Sequence, residues 1–116
     1  MDDIVEYANA IYDTLGPGYS ERVYHNAMEV MLRHNKVPYE TERIITIDFM
    51  GHTIGSLRAD LIVDGAIVVE LKATKTLNDT NRVQLNKYLE LLQIEQGVLI
   101  NFPQPGSGKV DIFMSG

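Results

Sequence analysis

The sequence contains no cysteine and no tryptophan among its 116 residues. Without cysteine the chain can form no disulfide bond, no thiolate zinc site and no thiol nucleophile. Any bound metal must therefore be held by oxygen or imidazole ligands. The absence also suits a reducing compartment, so we expect an intracellular protein.

Long hydrophobic runs are missing as well. No stretch approaches the roughly 20 apolar residues of a membrane-spanning helix, and the start Met1-Asp2-Asp3 lacks the basic region of a secretory signal. We therefore expect a soluble protein with no membrane partner. A chain of this length with 45% hydrophobic residues can bury one modest core, so we expect a single domain over residues 1–116.

Basic residues are scarce: ten Lys and Arg side chains stand against sixteen Asp and Glu side chains, for a net charge of -6. This balance argues against a nucleic-acid partner, because phosphates are bound mainly by Lys and Arg. The distribution weakens that objection, since residues 71–89 carry a local charge of +3 and the rest of the chain -9. The basic residues of this segment are Lys72, Lys75, Arg82 and Lys87. The last three form either a nucleic-acid contact surface or an ordinary solvated face.

Apolar periodicity predicts two helices, three strands, a third helix and two final strands. Helical spacing predicts the helices, and alternation of apolar residues predicts the strands. The predicted helices cover residues 3–15, 20–35 and 79–93, and the predicted strands cover residues 37–49, 54–63, 66–73, 98–102 and 110–114. Residues 103–108 are expected to form a surface loop. The order α-α-β-β-β-α-β-β indicates the α/β (α+β) class.

The second and third predicted strands must pair so that their apolar faces coincide. Odd-numbered strand positions from 61 to 73 are apolar, whereas Asp60, Glu70 and Lys72 occupy even positions. Opposed residues of an antiparallel pair point to the same side of a sheet, so their numbers must add to an even total. A two-residue turn would give an odd total and set Asp60 against the core, at a cost of roughly several kcal/mol.

A three-residue loop that ends at Gly65 satisfies this parity. With Gly65 in the left-handed conformation, the loop would set Asp60 opposite Val68. Asp60 would then be the diagonal neighbour of Glu70, about 7 Å away between α carbons, and Lys72 would follow on the same face. The sequence therefore predicts that two carboxylates and one amine meet on one patch.

Two carboxylates at this distance can share a hard divalent cation such as Mg2+, with water and phosphate oxygens completing the shell. The carbonyl of Leu71 is a further candidate ligand. A lysine beside the metal can orient an attacking water and stabilise negative charge on phosphorus. The patch suits phosphodiester hydrolysis, although a solvent-facing strand edge with alternating charges would show the same Glu-x-Lys pattern.

Several separated motifs resemble those of the PD-(D/E)XK nuclease superfamily. Residues 58–60 (Arg-Ala-Asp) and 69–73 (Val-Glu-Leu-Lys-Ala) are similar to its motifs II and III. Residues 15–102 resemble its GxxExxY branch, whose pattern is found here as Gly18, Glu21 and Tyr24, with Leu99-Ile100-Asn101-Phe102 near the end. The resemblance implies a restriction-endonuclease-like core, in which helices flank a mixed central sheet.

The resemblance also implies roles for individual residues. Asp60 and Glu70 would be metal ligands, and Lys72 would be the catalytic lysine. Glu21 would be the motif I acid and a further metal ligand. The alternative for Glu21 is a first-turn glutamate that the helix dipole favours beside Ser20.

Gln84 and Tyr88 lie four residues apart on one face of the third predicted helix. They resemble motif IV of RecB-like and phage recombination exonucleases, in which such residues help to position the phosphate or the water on the metal. The alternative is that Tyr88 packs in the core with Leu85 and Leu89 while Gln84 is only its exposed neighbour.

We therefore predict a nuclease that depends on Mg2+ or Mn2+ and hydrolyses phosphodiester bonds of nucleic acid, DNA in particular. The alternatives are a nuclease-fold module that binds nucleic acid or a partner protein without cutting, and a purely structural domain. The acidic composition favours help from a partner protein or a second copy of the chain. His25, His34 and His52 show no ligand spacing and receive no role.

Overall fold

The helices and strands follow the periodicity of the sequence. The computed structural model describes residues 1–106 and 109–115. Its elements are α1 (Asp2–Leu15), α2 (Glu21–His34), β1 (Tyr39–Phe49), β2 (His52–Val63), β3 (Ile67–Lys72), α3 (Asp79–Leu92), β4 (Gln96–Asn101) and β5 (Asp111–Ser115). The predicted order is confirmed, and the predicted bounds differ from the observed ones by no more than two residues.

The strands form one mixed sheet in the order β1-β2-β3-β4-β5. Neighbouring strands are antiparallel except β3 and β4, which run parallel. Helix α3 connects this parallel pair as a crossover, because parallel strands cannot be joined by a tight turn. A mixed sheet flanked by helices is the architecture that the resemblance implied.

The helices cover both faces of the sheet. Helices α1 and α2 form one core with the strands, which includes Ile4, Ala8, Met28, Leu32, Leu61, Val69, Leu71 and Ile100. Helix α3 forms a second core on the other face, which includes Leu85, Tyr88, Leu89, Ile62, Val68 and Leu99. Successive residues of β3 therefore enter opposite cores. As a central strand buried on both faces, β3 carries its polar residue Glu70 into the interior.

Strands β1 and β2 form a long hairpin that extends beyond β3. Its turn consists of Met50 and Gly51, which have left-handed φ angles of 51° and 80°. Two left-handed residues suit a tight two-residue turn, so β2 begins at His52 and not at Ile54 as predicted. Only the last three residues of β2 pair with β3, and the remainder of the hairpin projects as a two-stranded arm.

The predicted loop over residues 103–108 is described up to Gly106, and residues 107 and 108 lie outside the described residues. Its first residue is anchored, because the Tyr12 hydroxyl donates to the carbonyl of Pro103 at 2.8 Å. In the part of the chain that the structure describes, no helix is both long enough and apolar enough to cross a membrane.

The close packing of α3 on β4 depends on Gly97. A β carbon at this position would lie 2.9 Å from Leu89 Cδ2 and 3.0 Å from Leu85 Cδ1. We expect Gly97→Val to lower the free energy of unfolding by about 1–3 kcal/mol, because extra atoms in a packed core force its neighbours to shift. Urea denaturation measures this loss.

Gly55→Val is the matched control, since no described atom lies within 4 Å of a β carbon built on Gly55. This variant should unfold at nearly the same urea concentration as the wild type. Equal destabilisation by both substitutions would contradict a specific role of Gly97 in the packing of α3 against β4.

Candidate metal centre

Asp60 and Glu70 lie at a fork between β2 and β3. The two strands pair through Leu61–Val69, Ile62–Val68 and Val63–Ile67. At the next position the two backbones no longer pair, and side-chain carboxylates accept the hydrogen bonds instead. The Asp60 N–H donates to Glu70 Oε1 at 2.9 Å, and the Leu71 N–H donates to Asp60 Oδ2 at 2.8 Å. Each carboxylate therefore satisfies a backbone N–H that the strand pairing leaves free.

The predicted register is wrong by two residues, although its parity is confirmed. Val63 pairs with Ile67, so Glu70 and not Val68 lies next in register opposite Asp60. The two carboxylates are direct neighbours and not diagonal ones. Because the total remains even, they lie on the same side of the sheet, as predicted.

The turn between β2 and β3 explains this shift. Asp64 and Gly65 both have left-handed φ angles, 55° and 64°, and the Ala66 N–H donates to the Val63 carbonyl at 3.0 Å. A left-handed Gly65 was predicted, but the second left-handed residue Asp64 closes a tighter turn. Ala66 becomes an extra residue between the turn and β3, so β3 begins at Ile67.

Strand β2 is also irregular on its other side at Asp60. Strands β1 and β2 pair immediately before and after Glu42 and Asp60, but these two residues are not themselves paired. Glu42 has a left-handed φ of 56°, and the Thr41 hydroxyl donates to the Asp60 carbonyl at 3.4 Å. Irregular pairing of this kind often occurs beside functional sites, where it redirects a side chain.

The carboxyl group of Glu70 is held in an unfavourable electrostatic environment. Its residue is only 5% exposed, and burial, followed by the charge of Asp60, raises the pKa of Glu70 to about 9. The Asp60 N–H and the ammonium of Lys72 act in the opposite direction. Glu70 therefore tends to hold a proton at neutral pH, in the place where a cation would relieve the same repulsion.

The donor set fits a divalent cation held by two carboxylates. The backbone bonds at the fork use one oxygen each of Asp60 and Glu70, which leaves a second oxygen on each for a hard cation. Among the described residues, no three His, Asp or Glu side chains come close enough together to form a metal site by themselves. Water and phosphate oxygens would have to complete the shell, and the predicted Leu71 carbonyl ligand stays a prediction.

Lys72 and Glu21 are the two other charged residues that the resemblance assigns to the site. Lys72 is half-buried and follows Glu70 by two residues on β3. Burial raises the pKa of Glu21; among the nearby charges, Lys72 lowers it most and Asp60 raises it. Glu21, in the first turn of α2, therefore interacts electrostatically with both Lys72 and Asp60. The role of Glu21 as a ligand remains a prediction.

Tyr88 lies behind the carboxylates, in the core beneath α3. Its hydroxyl donates to the Arg58 carbonyl at 2.9 Å. Burial, with smaller contributions from Glu70 and Asp60, raises its pKa to about 12. The phenol therefore stays protonated and holds β2 two residues before Asp60.

Gln84 lies on α3, one helical turn before Tyr88. It lines a cavity of about 470 Å³ between α3 and the β1–β2 arm, together with Ile47, Leu57, Thr80, Val83, Lys87 and Leu91. One helical turn thus separates Tyr88, beside the carboxylates, from Gln84, beside the arm. The motif IV roles of both residues remain predictions.

The three predicted nucleic-acid contacts lie on α3 or in the loop before it. The Arg82 guanidinium lies 5.2 Å from the centre of the Phe113 ring, on β5, and Lys87 Nζ lies 3.4 Å from Glu90 Oε2. Lys75 is exposed in the loop after β3. Their contacts with nucleic acid remain predictions.

Asn101 is a positioning residue to which sequence reasoning gave no role. It is fully buried at the end of β4. Its Oδ1 accepts from the Thr74 N–H at 2.8 Å, and its Nδ2 donates to the Thr74 carbonyl at 2.8 Å and to Asp111 Oδ2 at 3.0 Å. These bonds fix the chain two residues after Lys72. A polar residue at the end of an apolar strand was the available signal.

Comparison with known proteins gives one family match and a similar fold. Residues 1–112 match the family model of the PD-(D/E)XK nuclease superfamily. The fold is similar to a solved structure described as "Crystal structure of SSO0001", with a TM-score of 0.65 and 25% sequence identity. That match covers 83% of this chain and 50% of the other, so the chain spans about half the length of that protein. No curated protein matches the chain at a significant level.

The raised pKa of Glu70 predicts that the metal-free protein loses stability as the pH rises. Between its usual pKa near 4.5 and about 9, the folded state binds the proton more tightly than the unfolded state. Stability conferred by this proton is complete at acid pH and is lost through this range. Thermal denaturation in EDTA between pH 5 and pH 9 measures the slope.

Glu70→Gln should flatten this slope and raise the melting temperature at pH 8. The gain is on the order of a few kcal/mol, since one pKa unit corresponds to about 1.4 kcal/mol. Glu95→Gln, at an exposed position, is the control and should leave the slope unchanged. A Glu70→Gln variant with the wild-type slope would contradict a strained carboxyl group at the fork.

Proposed function

Because the chain belongs to the PD-(D/E)XK nuclease superfamily, we propose that it hydrolyses phosphodiester bonds of nucleic acid, DNA in particular, with Mg2+ or Mn2+ as cofactor. The observation that carries this proposal is the fork, where the carboxylates of Asp60 and Glu70 meet beside Lys72. The motif order also supports assignment to the GxxExxY branch.

Asp60 and Glu70 would hold the metal, with Glu21 and the Leu71 carbonyl as further candidate ligands. Such a cation, when bound, neutralises charge on the phosphate and lowers the pKa of an attacking water. In the reaction, a water oxygen bonds to phosphorus and one ester P–O bond breaks, which leaves a phosphate monoester and a hydroxyl group.

Lys72 would orient the attacking water and stabilise the negative charge that develops on the phosphate oxygens. Its half-buried position beside Glu70 supports this role, because charge interactions strengthen where water is excluded. Tyr88 would act indirectly, since its hydroxyl is engaged by the carbonyl of Arg58. Gln84 would contact the substrate if the bound nucleic acid extends towards the β1–β2 arm. Lys75, Arg82 and Lys87 would contact further phosphates of the same nucleic-acid strand.

The rival proposal is a nuclease-fold module that binds nucleic acid or a partner protein without cutting. The scarcity of basic residues favours it. A partner protein or a second copy of the chain could supply the missing positive surface.

Incubation with linear, circular and single-stranded DNA or with RNA, in Mg2+, Mn2+ or EDTA, tests catalysis. We expect cutting that requires metal and falls by about 100-fold or more in Lys72→Ala and Asp60→Asn, because removal of a group that stabilises transition-state charge costs this much. Asp64→Asn, in the exposed turn next to β2, is the matched control and should cut normally. Equal cutting by all variants would indicate a contaminant, and retention of DNA without cutting would favour the binding module.

Titration calorimetry with Mn2+ tests the metal centre separately from cutting. Asp60→Asn and Glu70→Gln should each abolish or greatly weaken binding, because each removes a charged oxygen ligand. Asp64→Asn should bind as the wild type does. Unchanged affinity in both fork variants would show that the metal, if bound at all, lies elsewhere.

A further inference from the structure

Arg22 and Glu42 form an ion pair between α2 and β1. Arg22 lies in the first turn of α2, next to Glu21, and its Nη2 contacts Glu42 Oε1 on β1. Asp60 and Glu29 are further negative charges that act on the guanidinium, after Glu42 itself. The pair therefore connects α2 to β1 at the position where the β1–β2 pairing is interrupted beside Asp60.

Both side chains remain accessible to a ligand. The Arg22 side chain is 55% exposed and that of Glu42 34%. An ion pair this exposed contributes little to stability, since the median for surface pairs is about 0–1 kcal/mol. Its partners can separate readily when a stronger partner arrives.

The backbone of Glu42 is also unusual for a residue within a strand. Its φ of 56° is a conformation that side chains with a β carbon rarely adopt. The residue lies at the point where the β1–β2 pairing is interrupted beside Asp60. Backbone strain at such a position is typical of functional sites, where geometry is favoured over stability.

We propose that Arg22 contacts a phosphate of the nucleic-acid strand beside the one that is cut, and that Glu42 occupies this guanidinium in place of the phosphate until the strand binds. This inference rests on the proposed function and adds a substrate contact to it. The planar guanidinium group can donate two hydrogen bonds to two oxygens of a phosphate as well as to a carboxylate. In an acidic protein, a pre-positioned arginine beside the carboxylates would offset the repulsion between them and the strand.

Release of Arg22 would not leave Glu42 isolated. Arg58 and His25 also lower the pKa of Glu42, after Arg22. The imidazole of His25 lies 3.0 Å from the Thr41 hydroxyl, on the residue before Glu42. The positive charge of Arg58 therefore still acts on Glu42 when its arginine turns to the substrate.

Binding of a short fluorescent DNA duplex, in Ca2+ to suppress cutting, tests this exchange over a range of salt concentrations. Arg22→Ala should weaken binding on the order of tenfold, since it removes a charged hydrogen bond. It should also reduce the slope of log affinity against log salt by about 1. Arg22→Lys should keep the slope and recover part of the affinity. Unchanged affinity and slope in Arg22→Ala would overturn the inference.

Glu42→Gln distinguishes the exchange from a structural ion pair. If Glu42 competes with phosphate, this variant binds DNA more tightly than the wild type. If the pair only braces α2 against β1, the variant binds more weakly, as Arg22→Ala does, and the inference fails. Glu42→Gln should increase the affinity for DNA about twofold to fivefold more in the wild-type background than in the Arg22→Ala background. This factor corresponds to the free energy needed to separate an exposed ion pair.

Glu40→Gln is the matched control for the change in net charge. Glu40 lies on the same strand and pairs with Arg43 at 2.7 Å. Its effect on DNA binding should be the same with and without Arg22. If Glu40→Gln tightens binding as much as Glu42→Gln, overall charge explains the effect and the exchange is wrong.

Cutting is measured separately on the same variants. If the wild type cuts DNA but Arg22→Ala binds DNA as tightly as the wild type, the exchange is wrong and the proposed nuclease function stands. A wild type that never cuts, yet shows the Arg22-dependent gain in Glu42→Gln, would overturn catalysis and support the phosphate contact.

Discussion

The fork between β2 and β3 is the constraint on which the site depends. Where the two strands separate, their backbone N–H groups need acceptors, and the side chains of Asp60 and Glu70 supply them. Buried donors without acceptors would destabilise the fold. The same two bonds that satisfy the backbone thereby hold two carboxylates together before any cation is present.

This arrangement follows from the position of β3 in the molecule. Strand β3 lies between β2 and β4 and is covered by helices on both faces, so its alternating residues enter two cores. Glu70 has no exposed face to occupy, and its burial beside Asp60 raises its pKa. Stability and the proposed metal binding are therefore in tension at this residue, as expected where a site is built into a core strand.

The surroundings of the fork keep its parts in place from several directions. Tyr88 holds β2 through the carbonyl of Arg58, and Asn101 holds the chain just after Lys72. Helix α2 is connected to β1 by the ion pair between Arg22 and Glu42. The predicted basic segment contributes Lys72, whose charge acts on Glu70, and Arg22 adds a positive charge from α2 that interacts with Asp60.

The sequence by itself determined the order of the elements, the family motifs and the side of the sheet on which Asp60, Glu70 and Lys72 lie, because the period of a strand is a local property of the chain. It did not determine the register, since two left-handed residues at Asp64 and Gly65 shifted the pairing without changing its parity. Only the tertiary structure decided that the strands separate at Asp60 and that Arg22 meets Glu42. These features depend on how α2, β1 and β3 pack together, and no local pattern encodes contacts between residues so far apart in the chain.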